Sequence, residues 1–127
     1  MLRLEGHTIL IVDDDPDILE GFALAMRVEG ATTVTAEDGT EAVAEAIRCQ
    51  PDAVILDMML PKRSGFLVLE ELLSMDLPPK VVMVTANEGK RHMAYAKTLG
   101  VSAYLNKPVS LDKLIDTVSC LLKEEEA

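Results

Sequence analysis

Five short apolar runs alternate along the chain with five stretches in which apolar residues return every three or four positions. The runs cover 8–12, 32–36, 53–56, 81–85 and 103–106. They are short and rich in Val, Ile, Leu and Thr, so they predict strands. The periodic stretches cover 16–29, 39–49, 64–75, 90–99 and 111–123, and they predict helices. Ile18, Leu19, Phe22 and Met26 mark the inner stripe of the first, and Ala42, Val43, Ala46 and Ile47 that of the second. Leu67, Val68, Leu69, Leu72 and Leu73 mark the third; Leu114, Ile115, Val118, Leu121 and Leu122 mark the last. The punctuation agrees. Asp15 is a capping residue followed by Pro16 at the first helical position, where a missing N–H costs nothing. Gly30 and Gly100 follow helix ends, and Pro51 and Pro78-Pro79 interrupt the connections.

The central runs are apolar without alternation, as strands covered on both faces must be. Five βα units in succession predict an α/β fold: a parallel sheet with helices on both sides, right-handed crossovers and strand order 2-1-3-4-5. No repeat, low-complexity tract or linker interrupts it. The chain reads as a single domain over 1–127, with a core from about 7 to 123 and an acidic end at 124–127. That end reads as a frayed terminus or the start of a linker.

Each strand of such a sheet delivers its last residues to one shared edge, where ligands bind. Here those residues are Asp13, Asp14 and Asp15, then Asp57, Thr85 and Lys107. Clustered carboxylates repel one another unless a cation sits among them. A hard divalent ion such as Mg²⁺ removes the conflict and needs only one or two carboxylates besides a phosphate oxygen. A carboxylate so placed can attack a phosphoryl group and carry it as an acyl phosphate. The charge developing on the phosphoryl oxygens then needs a metal, an ammonium and a donor around it. Asp57 is the candidate nucleophile, Asp13 and Asp14 the metal side, Lys107 the ammonium and Thr85 the donor.

Composition narrows the classes further. The net charge is −10, from 12 basic and 22 acidic residues, which opposes a nucleic-acid surface. It suits a divalent cation or a basic partner. The first residues lack the apolar stretch of a signal peptide, and no run approaches a membrane span. Cys49 and Cys120 read as small semi-buried residues rather than a disulfide. These features predict a cytoplasmic protein. His7 and His92 stand alone, without metal-ligand spacing, and read as solvated. Lys90-Arg91-His92 reads as a solvated basic patch, and the methionines as core residues.

Taken in order, Ile9-Leu10-Ile11-Val12-Asp13-Asp14-Asp15-Pro16, Glu37-Asp38-Gly39 with Glu41-Ala42, Leu56-Asp57-Met58-Met59-Leu60-Pro61 with Gly65, Thr85-Ala86, and Gly100 with Tyr104-Leu105-Asn106-Lys107-Pro108 resemble the receiver domain of two-component response regulators. The resemblance runs from about residue 8 almost to the end. It implies a flavodoxin-like, doubly wound (βα)5 fold. It implies that Asp57 accepts a phosphoryl group from a phosphohistidine of a sensor histidine kinase or a histidine phosphotransfer protein. Asp14 and Asp57, with the backbone carbonyl of Met59 and help from Asp13, would bind Mg²⁺, for which Mn²⁺ is a substitute. Thr85 and Lys107 would contact the phosphoryl group, and Thr85 and Tyr104 would form the switch. The Lys107-Pro108 bond would be cis. A downstream protein target or an output domain would read the fourth-helix, fifth-strand and fifth-helix face. The last helix is a candidate homodimer surface on phosphorylation. No direct nucleic-acid or membrane contact is expected, and the activity is stoichiometric self-phosphorylation with slow autodephosphorylation rather than turnover.

Ser64 and Val109 depart from residues common in the family at those positions, away from the chemistry. Met59 and Asn87 occupy positions that tune hydrolysis in the family; Met59 cannot orient a water, whereas Asn87 can. Three other readings are weaker. A phosphohydrolase of the haloacid-dehalogenase type wants a second Asp where Met59 stands. A flavodoxin-like or nucleotide-binding module wants a phosphate cradle where Asp13-Asp14-Asp15-Pro16 stands. An interaction-only receiver is disfavoured by the intact set Asp13, Asp14, Asp57, Thr85 and Lys107.

Overall fold

A computed structural model describes residues 2–86 and 90–126, with side chains at all of these except 90 and 124–126. Asn87 and the side chains of Lys90 and of the acidic end lie outside the described residues. The elements are β1 (Thr8–Val12), α1 (Pro16–Val28), β2 (Thr32–Ala36), α2 (Gly39–Cys49), β3 (Ala53–Asp57), α3 (Gly65–Leu73), β4 (Lys80–Thr85), α4 (Lys90–Leu99), β5 (Ala103–Asn106) and α5 (Leu111–Glu126). All strands are parallel, in the expected order β2-β1-β3-β4-β5. The fold is the flavodoxin-like (βα)5 arrangement read from the sequence.

Side chains alternate along each strand, and the two rows feed two separate cores. Ile9, Ile11, Ala53, Ile55, Val82 and Val84 pack with α1 and α5. Leu10, Val12, Val54, Leu56, Val81 and Met83 pack with α2, α3 and α4. Both rows are apolar because both faces are covered, which is why no alternation shows in the sequence. The edge strand β2 retains three threonines, two of them exposed.

Some boundaries and environments differ from expectation. Asp57 belongs to β3, where it pairs with Val84 of β4. Ser64 caps α3 by accepting the Leu67 N–H at 3.3 Å, so that helix starts at Gly65. It stops at Leu73, and the following Ser74 donates its hydroxyl back to the Glu70 carbonyl at 2.8 Å. Asp15 caps α1 as expected, accepting the Asp17 N–H at 2.9 Å. Helix α5 extends to Glu126. The core begins earlier than residue 7: Leu4 is fully buried, and its N–H donates to the Glu29 carbonyl at 2.8 Å. Arg3 ties this segment to α5 through Asp116 at 2.6 Å.

Neither histidine is simply solvated. His7 is half-buried, with Nδ1 3.6 Å from Asp52. His92 is half-buried and stacks on Phe66, with ring centroids 5.9 Å apart, while Tyr95 meets Phe66 edge-on at 4.9 Å. Cys49 is half-buried, which pushes its thiol up, but Cys120 is exposed; both are free. Met26, Met58 and Met83 are core residues, while Met59 is exposed. No helix of the described residues is long and apolar enough to cross a membrane.

Candidate functional site

The site follows from strand periodicity. Ile9 and Ile11 face the α1–α5 core, and Asp13 continues their row; Ala53 and Ile55 are continued by Asp57; Ala103 and Leu105 are continued by Lys107. Three rows on one face thus end in two carboxylates and an ammonium. Lys107 Nζ lies 3.4 Å from Asp57 Oδ2, across β4, and 2.8 Å from Asp13 Oδ2, across β4 and β3. Asp14, which is exposed, completes a cluster in which one carboxylate oxygen from each of Asp13, Asp14 and Asp57 lies within 4.8 Å of the others.

The backbone orients the acids. Asp13 Oδ1 accepts the Asp15 N–H at 2.9 Å, and Asp57 Oδ1 accepts the Met59 N–H at 3.2 Å. Asp57 is only 6% exposed. Its burial pushes the carboxyl up, the Met59 N–H and Lys107 oppose this, and Asp13 adds to it. Burial pulls the Lys107 ammonium down, but its hydrogen bond to Asp13 and the charges of Asp57 and Asp13 hold it above the usual lysine range. An all-oxygen cluster of three carboxylates against one ammonium is the donor set a hard divalent cation takes. The residues present therefore fit Mg²⁺.

Thr85 is fully buried at the end of β4, and its carbonyl accepts the Lys107 N–H at 2.8 Å. Its row, Val81-Met83-Thr85, faces the α3–α4 side. Tyr104 pairs with Met83 and packs on that same side, half-buried, where burial pushes its phenol up. The two proposed switch residues therefore share one sheet face, opposite to that of Asp57. The Lys107-Pro108 peptide is cis, as expected.

A family model, the response regulator receiver domain, matches residues 9–119. The chain belongs to the response regulator receiver family. Among curated relatives of this receiver domain, "Probable transcriptional regulatory protein TcrX" of Mycobacterium tuberculosis is 38% identical over 125 residues, 97% of this chain and 53% of the relative. Transcriptional regulatory protein PrrA of Mycobacterium leprae is 34% identical over 119 residues, 94% of this chain and 51% of PrrA. The chain spans about half the length of these relatives. Among solved structures, a CheY-like receiver domain protein from Methanospirillum hungatei superposes with a TM-score of 0.90 at 28% identity, covering 94% of this chain and 96% of that one. A receiver domain protein from Clostridium thermocellum does so at 0.88 and 26%, covering 94% and 97%.

One element of the receiver site carried no role in the sequence reading. Gly65 opens α3 against the end of β3, where Asp57 stands: its N–H donates to the Met58 carbonyl at 2.9 Å. A Cβ there would stand 2.6 Å from both the Asp57 carbonyl oxygen and the Met58 Cα. Backbone cannot yield as a side-chain tip can. Gly65→Ala is expected to lower stability by about 2 kcal/mol, read as a shift in the urea midpoint.

Proposed function

We propose that this receiver domain takes a phosphoryl group onto Asp57 from a phosphohistidine of a sensor histidine kinase or histidine phosphotransfer protein. One observation carries the reading: Lys107 Nζ bridges Asp13 and Asp57 beside a three-carboxylate cluster. An Asp57 carboxylate oxygen attacks phosphorus, the P–N bond breaks, and its electron pair leaves with the imidazole nitrogen, which takes a proton from solvent. Asp13, Asp14, Asp57 and the Met59 carbonyl would hold Mg²⁺ or Mn²⁺, which when bound neutralises phosphoryl charge. Lys107 would move its ammonium from Asp57 to a phosphoryl oxygen, and Thr85 would donate a hydroxyl. Because Asp57 is consumed once per event, this is a phospho-acceptor rather than a turnover enzyme.

An apolar cavity of about 400 Å³, lined by Ile18, Phe22, Ala86, Lys107, Pro108 and Val109, opens beside the site. It gives the donor protein an apolar surface next to Lys107. New contacts from Thr85 to the phosphoryl group would bias Tyr104 on the shared face, a shift of population between two packings. A downstream target or an output domain would read that shift. Relatives about twice as long and named transcriptional regulators support the second, with any nucleic-acid contact made outside this acidic domain. Dimerisation through α5 on phosphorylation and a cytoplasmic location belong to the same reading.

Intact mass after incubation with acetyl phosphate and Mg²⁺ tests it. One added phosphoryl group, dependent on the metal, is expected; no label together with no beryllofluoride binding would sink it. Met59 is 63% exposed and has no group that orients a water, so a phosphoryl lifetime of minutes or longer is expected. Met59→Asn is expected to shorten it by about tenfold, read as decay of the labelled mass.

A further inference from the structure

The carbonyl proposed as a metal ligand, that of Met59, sits in the loop between β3 and α3, residues 58–64. That loop is held at its base by the hydrogen bond between the Gly65 N–H and the Met58 carbonyl. Its far side is held from a different part of the chain, the turn between β2 and α2. The Gly39 N–H donates to the Pro61 carbonyl at 3.3 Å, and Lys62 Nζ lies 3.4 Å from Asp38 Oδ2. Gly39 is buried, and its Cα approaches Arg63 so closely that a Cβ would collide with the Arg63 carbonyl oxygen and lie 2.5 Å from the Arg63 Cβ. Arg63 has little freedom to retreat. Its N–H donates to the Pro61 carbonyl at 2.7 Å, and its guanidinium holds Glu71 at 2.5 Å. Lys62 between them takes left-handed backbone, with φ at 67°.

We infer that Gly39 is a positioning residue for metal binding: contact between the β2–α2 turn and Pro61-Arg63 fixes the loop that presents the Met59 carbonyl. The inference rests on the metal reading proposed above. A carbonyl on a free loop must be ordered when the ion arrives, and that ordering is subtracted from affinity; a loop pinned at both ends arrives pre-ordered. The same coupling runs in reverse, since ion binding must tighten the contact that helps it.

The test uses Mg²⁺ titrations of the full chain followed by backbone amide NMR and amide exchange, with acetyl phosphate labelling alongside. In the parent, saturating Mg²⁺ is expected to slow exchange of the Gly39 amide, although Gly39 is no ligand. Gly39→Ala is expected to weaken Mg²⁺ about tenfold, with the labelling rate at saturating Mg²⁺ nearly preserved. Gly21→Ala, where a Cβ meets open space, is the control and is expected to change neither. Mg²⁺-dependent shifts at Asp13, Asp57 and Met59 with an indifferent Gly39 amide and parental affinity in Gly39→Ala would overturn the positioning role alone. No shifts at those three residues in the parent would overturn the metal reading and this role with it. If Gly39→Ala does not fold, the exchange of the parent's Gly39 amide decides.

Discussion

Asp57→Asn is expected to abolish phosphoryl acceptance while making the domain more stable at neutral pH. The first effect removes the proposed nucleophile: the amide cannot form the acyl phosphate, so no added mass is expected at any Mg²⁺ concentration. The second follows from electrostatics. Asp57 is buried, and burial raises its carboxyl pKa despite the Met59 N–H and Lys107, with Asp13 pushing the same way. A raised acid binds its proton more tightly in the folded state than in the unfolded chain. Ionising it therefore costs stability, in full above the raised value and not at all below the ordinary carboxylate range near 3.8. Asn removes that cost and keeps an oxygen to accept the Met59 N–H. Lys107 keeps its shorter contact, to Asp13 at 2.8 Å. The gain is expected to be about 1 kcal/mol at pH 7, or about 4 °C in Tm, and to fade as pH drops through the raised value. Thermal melts of both proteins from pH 7 to pH 3.5, without divalent metal, measure it. A variant less stable than the parent at pH 7 would contradict the view that Asp57 is held ionised at a cost.

Strand ends carry their own signal, which is why the acids, Thr85 and Lys107 were legible in the sequence. An apolar run that stops at Asp13 or Asp57 states both where a strand ends and what it delivers. The sheet edge gathers them, but the face that Asp13, Asp57 and Lys107 share was not legible, because both faces of the sheet are covered and its central strands show no alternation. Loop contacts carry no such signal either. Nothing in the spacing of Asp38-Gly39 and Pro61-Lys62-Arg63 says that they touch, because the approach depends on how two βα connections lie side by side. Gly39 and Gly65 were visible as motif residues, but their reason, backbone against backbone, was not. His92 looks solvated as an isolated histidine, but the period of its own helix places it inward. It stands four residues before the buried Ala96 and seven before the half-buried Leu99, on the stripe that α4 turns inward. Leu4 was missed because it lies outside any periodic stretch. It is buried by a turn that its own N–H ties to the Glu29 carbonyl, at the end of a different element.

The second large effect is expected at Lys107. In Lys107→Met the stem is kept and the ammonium is lost, leaving Asp13 and Asp57 buried without the cation that now spans them. Removing one partner of a buried pair costs more than the pair itself is worth, because the remaining charge stays desolvated. A loss of about 2 kcal/mol is expected in metal-free buffer, read as a lower urea midpoint. The pH dependence has a definite sign. The folded-state pKa of Lys107 is raised by its two carboxylates against the pull of burial, so its contribution is present at neutral pH and lost as pH rises through that value, above 10.5. The parent is expected to lose stability there, while the variant lacks that component of the loss. On the metal reading proposed above, Mg²⁺ would draw on the same two carboxylates, Asp13 and Asp57, that now hold the ammonium. The variant is therefore expected to bind Mg²⁺ several-fold more tightly and to recover part of its deficit when the ion is added. Recovery of stability does not bring recovery of function. The ion would satisfy the acids but would not replace the donor proposed for the phosphoryl oxygens, so labelling at saturating Mg²⁺ is expected to stay about a hundredfold slow. Weaker Mg²⁺ binding in Lys107→Met would mean that the lysine builds the metal site rather than competing with it. Unchanged labelling would remove the ammonium from the chemistry.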